Sequence, residues 1–175
     1  MGVQFLLIPA AVTLSAPAYA TVYLTIEQAQ ALIFPGARFA PDFRTLSDAQ
    51  ADAIERDSGV NVRNRQLQVW RVSTGGWFIA DDVVGKHEFI PFALGLDQAG
   101  RVVGIEILEY RESYGYEIRE THWRAQFTGK QHGAALKLTA DIQNISGATL
   151  SCRHITDGVK RLLATYALVL TTPSH

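Results

Sequence analysis

Four consecutive runs of β-compatible residues lie between residues 66 and 109, and in the last two the apolar side chains recur with a period of two. Such alternation marks strands with one buried face. Gln66 to Ser73 is rich in β-compatible residues, Thr74-Gly75-Gly76 is a turn signal, and Trp77 to Val84 follows as a second strand. Glu88 to Leu96 places Ile90, Phe92, Leu94 and Leu96 on one face. After the turn Asp97-Gln98-Ala99-Gly100, the run from Arg101 to Glu109 places Val103, Ile105 and Ile107 on one face. Together the runs predict an antiparallel, strongly twisted sheet. Pro91 has no N–H for a ladder, so it predicts an edge position or a bulge for its strand.

Helical patterns flank these strands. Residues 25–34 read as a helix with Thr25 as cap, Glu27 in the first turn and Pro35-Gly36 as the stop. Residues 46–57 read as a second helix, capped by Ser47 and ended by Ser58-Gly59. The polar stretch Asn61 to Arg65 links it to the strands. Glu117 to Phe127 reads as a helix or helical turn ended by Thr128-Gly129, and residues 137–142 as a short strand. From Ser151 onward, Ile155, Val159, Leu162, Leu163 and Tyr166 fall at helical spacing. No repeat or low-complexity segment interrupts the pattern. The expected fold class is α+β, with helices packed around one antiparallel sheet. Residues 66–175 form the principal domain, and residues 21–65 an N-terminal helical segment.

Composition adds limits. With 175 residues, 47% of them hydrophobic and 19% charged, the chain has the material for one domain with a real core. A net charge of −1 points away from nucleic acid, and no basic run reads as a patch for anionic lipid. Residues 1–20 contain no charged side chain, an apolar stretch from Val3 to Leu14, and the small-residue ending Ala18-Tyr19-Ala20. This pattern predicts a signal peptide cleaved after Ala20 and a periplasmic or otherwise extracytoplasmic mature chain. The alternative is an uncleaved anchor, against which Pro9, Pro17 and the short apolar length argue. Cys152 is the one cysteine, so no internal disulfide forms. It is either a small buried residue or a thiolate favoured by a helix start. The five histidines are scattered and form no close metal-ligand pair.

The chemistry concentrates in Ser146-Gly147-Ala148-Thr149-Leu150-Ser151, at the entrance to the last predicted helix. A helix start presents free N–H groups and a partial positive charge, which favours phosphate. Gly147 permits a tight turn, Ala148 adds little bulk, and Thr149 supplies a hydroxyl. The simpler alternative is that Ser146 or Thr149 only caps the helix.

This Ser-Gly-Ala-Thr-x-Ser segment resembles the flavinylation motif of the FMN-binding domain family, which includes the periplasmic flavin subunits of the Rnf and sodium-pumping NADH:quinone reductase complexes. The resemblance implies that Thr149 carries FMN through a phosphoester, with Ser146, Gly147, Ala148 and Ser151 around it. Two more segments match in order. Glu112-Ser113-Tyr114-Gly115-Tyr116 corresponds to the family's Glu-Thr-Pro-Gly-x-Gly loop, with Tyr in place of Pro and no second Gly. Trp123-Arg124-Ala125-Gln126-Phe127-Thr128-Gly129-Lys130 corresponds to a Trp-x-x-x-Phe-x-Gly-Lys segment. In this reading Tyr114 or Tyr116 stacks on the flavin ring, and N–H groups near Gly115 reach its polar edge. Lys130 either meets the phosphate or is a surface lysine. Trp123 and Phe127, four apart, are core residues. Glu106, Glu109, Glu112, Glu117 and Glu120 read as a solvated acidic face, although Glu112 beside a flavin would disfavour its reduced anion.

The resemblance further implies maturation by an exported FAD:protein FMN transferase, which releases AMP and holds its own divalent metal. The implied role is an electron carrier working with a membrane or periplasmic partner. The alternatives are an FMN-dependent reductase acting on a small acceptor and a flavin-free exported binding module.

Overall fold

A computed structural model of the chain describes residues 21–112 and 114–171. The expected signal segment, Ser113 and residues 172–175 lie outside these. In chain order the elements are β1 (Thr21–Val22), α1 (Ile26–Ile33), β2 (Phe39–Pro41), β3 (Arg44–Thr45), α2 (Asp48–Ser58), β4 (Gln66–Val72), β5 (Trp77–Val84), β6 (Phe89–Leu96), β7 (Val102–Ile107) and β8 (Glu109–Tyr110). A 3-10 turn (Tyr116–Arg119), α3 (Thr121–Arg124) and a second 3-10 turn (Ala125–Phe127) follow. Helix α4 (Thr149–Thr165) closes the fold, running on into a π turn (Tyr166–Leu170). Among the described residues, no helix is long and apolar enough to cross a membrane.

The architecture is α+β. The main sheet runs β2-β4-β5-β6-β7, with β3 also pairing with β4, and all of its pairings are antiparallel. The strands predicted from Gln66 onward are its β4 to β7, with β7 at one edge. Residues 21–65 are woven into the structure: β2 and β3 pair with β4, and β1 pairs with β8. Strands β2 and β3 escape the sequence reading because three and two residues are too short to show a period. Helices α1 and α2 match expectation, each opened by a complete capping box, Thr25 with Gln28 and Ser47 with Gln50.

Alternation divides each strand between two cores. Ile79, Ile90, Phe92, Leu94 and Leu96 face α2, α4 and the 116–127 segment, in one continuous cluster with Ile54, Ile155, Val159, Leu162 and Leu163. Phe78, Val72 and Ala93 face the other way, against Ala29 and Ile33 of α1. Arg161 adds a polar tie, donating from Nη2 to Asp81 Oδ2 at 2.7 Å and so linking α4 to β5.

Two local expectations are corrected, and of the two alternatives drawn from Pro91 the edge fails while the bulge is present elsewhere in the strand. Strand β6 is interior, between β5 and β7, despite Pro91. The Pro91 carbonyl accepts from Leu108 N at 2.9 Å, so its nitrogen also faces that side, one step beyond the last β6–β7 pair, Phe92 with Ile107. The missing donor therefore falls where the ladder has already ended. The bulge lies at the other end, between Gly95 and Leu96. That bulge also moves Val103 to the surface, at 38% exposure, and buries Val102 with Ile105 and Ile107 in its place. Finally, residues 137–142 are turns with a single Leu138–Ile142 bridge, not a strand. Asp141 gathers this segment around its carboxylate, accepting from Leu136 N, Lys137 N and Lys130 Nζ. The positive φ angles of Leu136 and Thr139 curl the chain away from an extended path.

Candidate functional site

Helix α4 begins differently from α1 and α2. Its N-cap is Ala148, and no side chain caps it. Neither Ser146 nor Thr149 therefore performs the capping role that their composition allows. The first helical N–H to find a partner is Cys152 N, bonded to Ala148 O at 2.9 Å. Those of Thr149, Leu150 and Ser151 precede it and have no intrahelical acceptor. The first turn of this 17-residue helix carries no acidic residue of its own to compensate its positive end. Gly147, at φ +84°, makes the turn that delivers Thr149 to this end, and Ala148 N closes that turn on Ile145 O at 3.0 Å. Thr149 is exposed, and its hydroxyl oxygen accepts from Asn144 Nδ2 at 3.1 Å.

The loop after β8 packs directly on this helix start. Gly115 adopts φ +93°, and a Cβ built there would lie 2.5 Å from Ala148 Cβ and 2.7 Å from Tyr110 Oη. Only glycine allows so close an approach. Tyr110, 4% exposed, fastens the junction: its hydroxyl donates to Tyr114 O at 2.5 Å and lies 2.9 Å from Ser151 Oγ. The phenol has one proton, which goes to the Tyr114 carbonyl, so the Ser151 hydroxyl is the donor in the second bond. Burial pushes the Tyr110 phenol above its ordinary value despite the Ser151 bond, with the nearby Glu112 and Glu117 carboxylates acting in the same direction as burial. The clamp is thus built from a neutral phenol. Ser151 is buried and points inward to this clamp, which makes it a support for the loop.

Glu112 performs a second fastening. Its Oε1 accepts from His87 N at 2.6 Å and Glu88 N at 3.1 Å, which pins the β5–β6 hairpin beside α4. Burial pushes this carboxyl up, but the N–H donors of His87, Glu88 and Lys86 outweigh it and hold the group below 4.5. Because the folded value is depressed, its stabilisation is present above the unfolded value of about 4.3 and lost as pH falls through the folded one. Glu112→Gln keeps the shape but removes the charge. We expect it to lower stability at pH 7 by about 1 kcal/mol, after allowance for solvent screening. The gap between variant and wild type should narrow in urea titrations as pH falls below the unfolded value of about 4.3. A gap that persists unchanged at low pH would contradict this role.

Between these pieces lies a cleft of about 350 Å³, lined by Lys86, His87, Glu112, Tyr114, Gly147, Ala148, Thr149, Leu150 and Ser151. Of the residues singled out in the sequence, Glu112, Tyr114, Gly147, Ala148, Thr149 and Ser151 line it. Gly115 supports it from below, and Ser146 is exposed in the turn before Gly147. Tyr114 is 78% exposed, and Tyr116 is 59% exposed. Lys130 does not line the cleft; its ammonium is 2.9 Å from Asp141 Oδ2. Burial pushes the Asp141 carboxyl up, yet the Lys130 bond, with the N–H donors of Lys137 and Leu136, holds it below 3.8. Trp123 and Phe127 are core residues, edge to face at 5.2 Å, and Trp123 Nε1 donates to Gln143 O. Cys152 is fully buried, and burial pushes its thiol up, so it is no thiolate. The expected acidic face is largely spoken for: Glu106 pairs with Arg124, Glu109 with Arg111, and Glu112 with the hairpin. A second cleft of about 310 Å³, between α4 and β5, contains none of the motif residues.

Sequence reasoning missed Lys86, His87, Tyr110 and Asn144. The first two sit in the hairpin between two strands that were recognised, so their position was readable, but not which helix end the hairpin meets. Tyr110 lies just past the last predicted strand, where nothing local marks a clamp.

Residues 85–164 match the FMN-binding domain family, and this span contains every candidate site residue. Over 102 residues the chain is 31% identical to a component of the ion-translocating oxidoreductase complex of Photorhabdus laumondii, covering 52% of this chain and 47% of that protein. The chain therefore spans about half the length of this relative. It is 23% identical over 141 residues to a component of the Na(+)-translocating ferredoxin:NAD(+) oxidoreductase complex of Acetobacterium woodii, covering 73% and 68% of the two chains. The fold is similar to the crystal structure of a component of the Na(+)-translocating NADH-quinone reductase from Parabacteroides distasonis, with a TM-score of 0.52 over 78% and 80% of the chains. At 15% identity this last likeness bears on the fold alone.

Proposed function

We propose that the chain, whose residues 85–164 match the FMN-binding domain family, holds FMN covalently on Thr149 and transfers electrons in an extracytoplasmic redox chain. The observation that carries the reading is the exposed Thr149 hydroxyl at an uncapped helix start, inside a cleft bordered by Lys86 and His87. The donor set fits a phosphoester. Free N–H groups at the start of α4 and the Lys86 ammonium across the cleft both favour the single negative charge that a phosphodiester keeps. Each such interaction contributes about 0.3–1 kcal/mol. Gly147, with nothing within 4 Å of an added Cβ, leaves room at the attachment point. Exposed Tyr114 offers an aromatic face at the mouth for the ring. Bound FMN supplies the one- and two-electron chemistry, while the chain supplies attachment, orientation and charge.

Two relatives are named as parts of ion-translocating oxidoreductase complexes, which supports a membrane electron-transfer partner here. Maturation requires an FAD:protein FMN transferase, and residues 1–20 supply the export signal that would bring the two together. When the full chain is expressed with an exported, active transferase, one flavin per polypeptide should survive denaturation in detergent as a fluorescent band. An unmodified chain, with the transferase active on a control substrate, would overturn the reading.

A further inference from the structure

The nucleophile proposed above has a neighbour whose arrangement is hard to explain by stability. Asn144 donates from Nδ2 to Thr149 Oγ1 at 3.1 Å. Its other end, Oδ1, is buried without a hydrogen-bond partner among the described residues. An amide chosen only to hold a loop would satisfy both ends, since a buried acceptor left unmet is costly. The backbone around it is held from several sides. Trp123 Nε1 donates to Gln143 O at 2.8 Å, Gln143 N donates to Gln126 Oε1 at 2.7 Å, and the 145–148 turn is closed by Ala148 N. Trp123 and Gln126 thereby fix the position of Asn144 through Gln143, and Gly147 brings Thr149 back to meet it.

Resting on the reading of Thr149 as the FMN acceptor, we propose that Asn144 is a positioning residue for that modification. Its N–H occupies one lone pair of Thr149 Oγ1, so the hydroxyl proton and the remaining lone pair are directed away from Asn144. In the transfer, Thr149 Oγ forms a bond to the FMN phosphorus of FAD, the P–O bond to AMP breaks, AMP leaves with the bonding pair, and the threonine proton passes to a base on the transferase or to water. Asn144 neither gives nor takes that proton. It holds one rotamer of the acceptor, so its loss slows the chemical step and leaves recognition of the protein by the transferase intact.

The test uses the full chain with a purified transferase, FAD and its divalent metal, following intact mass over time. Asn144→Ala and the similarly shaped Asn144→Leu, neither of which has an N–H donor, should both lower kcat about tenfold. Both should leave KM for the protein within twofold and the melting temperature close to wild type. Equal kcat in wild type and both variants would overturn the proposal. So would a parallel loss of kcat and melting temperature, which would make Asn144 a structural residue. If wild type gains no mass, or Thr149→Ala gains it equally, the reading of Thr149 itself fails, a result distinct from either outcome for Asn144.

Discussion

Thr149→Ala should yield a folded protein that carries no covalent flavin. The side chain is exposed, fills no core volume and caps no helix, since Ala148 occupies the N-cap. Its side-chain hydrogen bond is the exposed contact with Asn144. The stability change should therefore stay within about 0.5 kcal/mol, as for surface positions generally. Flavin incorporation, in contrast, should fall to nothing, because the ester oxygen is gone. Ser151→Ala is the informative control two residues away. Ser151 is buried and donates to Tyr110, so its loss should cost about 1 kcal/mol of stability while attachment persists. Covalent flavin retained in the Thr149 variant would move the attachment elsewhere. Equal flavin loss in both variants would remove the distinction between acceptor and support.

The second large effect is expected at Gly115. Alanine there meets a left-handed backbone at φ +93°, a strain of about 1–2 kcal/mol. Its Cβ would lie 2.5 Å from Ala148 Cβ and 2.7 Å from Tyr110 Oη, and such overpacking adds about 1–3 kcal/mol. Together Gly115→Ala should cost about 2–5 kcal/mol in urea unfolding. It should also lower flavin incorporation, because relief of the clash displaces the N-cap residue that precedes Thr149. Gly147→Ala provides the contrast. Its φ is also positive, but nothing lies within 4 Å of the added Cβ, so only the backbone strain remains. If Gly115→Ala proved as stable as wild type, the close packing of the 112–116 loop on α4 would be wrong.

Much of this arrangement is legible in the order of residues alone. The β4–β7 strands, both capped N-terminal helices and the amphipathic face of α4 follow from periodicity and caps, which are local signals. The residues lining one side of the cleft are marked as well, because the Ser146–Ser151 segment is both compact and chemically distinctive. What the order of residues could not supply depends on register and distance. The bulge that exchanges Val102 for Val103 requires the β6–β7 pairing. The loss of the predicted 137–142 strand requires Asp141 to meet Lys130, eleven residues away. That same pairing removes Lys130 from the phosphate role, since an ammonium held by a carboxylate is no longer a free counter-charge. The opposite wall of the cleft, Lys86 and His87, arrives through the Glu112 bonds to a hairpin about 25 residues earlier in the chain. The resemblance to the flavin-binding family named Glu112 and Gly115 only as neighbours of a flavin, not as fastenings of the chain. The structure gives each one: Glu112 pins the hairpin, and Gly115 lets the loop touch Ala148.

The most direct test is tryptic mapping of the chain after reaction with FAD and the transferase. Cleavage after Lys137 and Arg153 releases residues 138–153, which carry four hydroxyl side chains, Thr139, Ser146, Thr149 and Ser151. Fragmentation that assigns one FMN, less water, to Thr149 alone is the predicted result. An adduct on Ser146, Ser151 or Thr139, or a modified peptide from another part of the chain, would contradict the account.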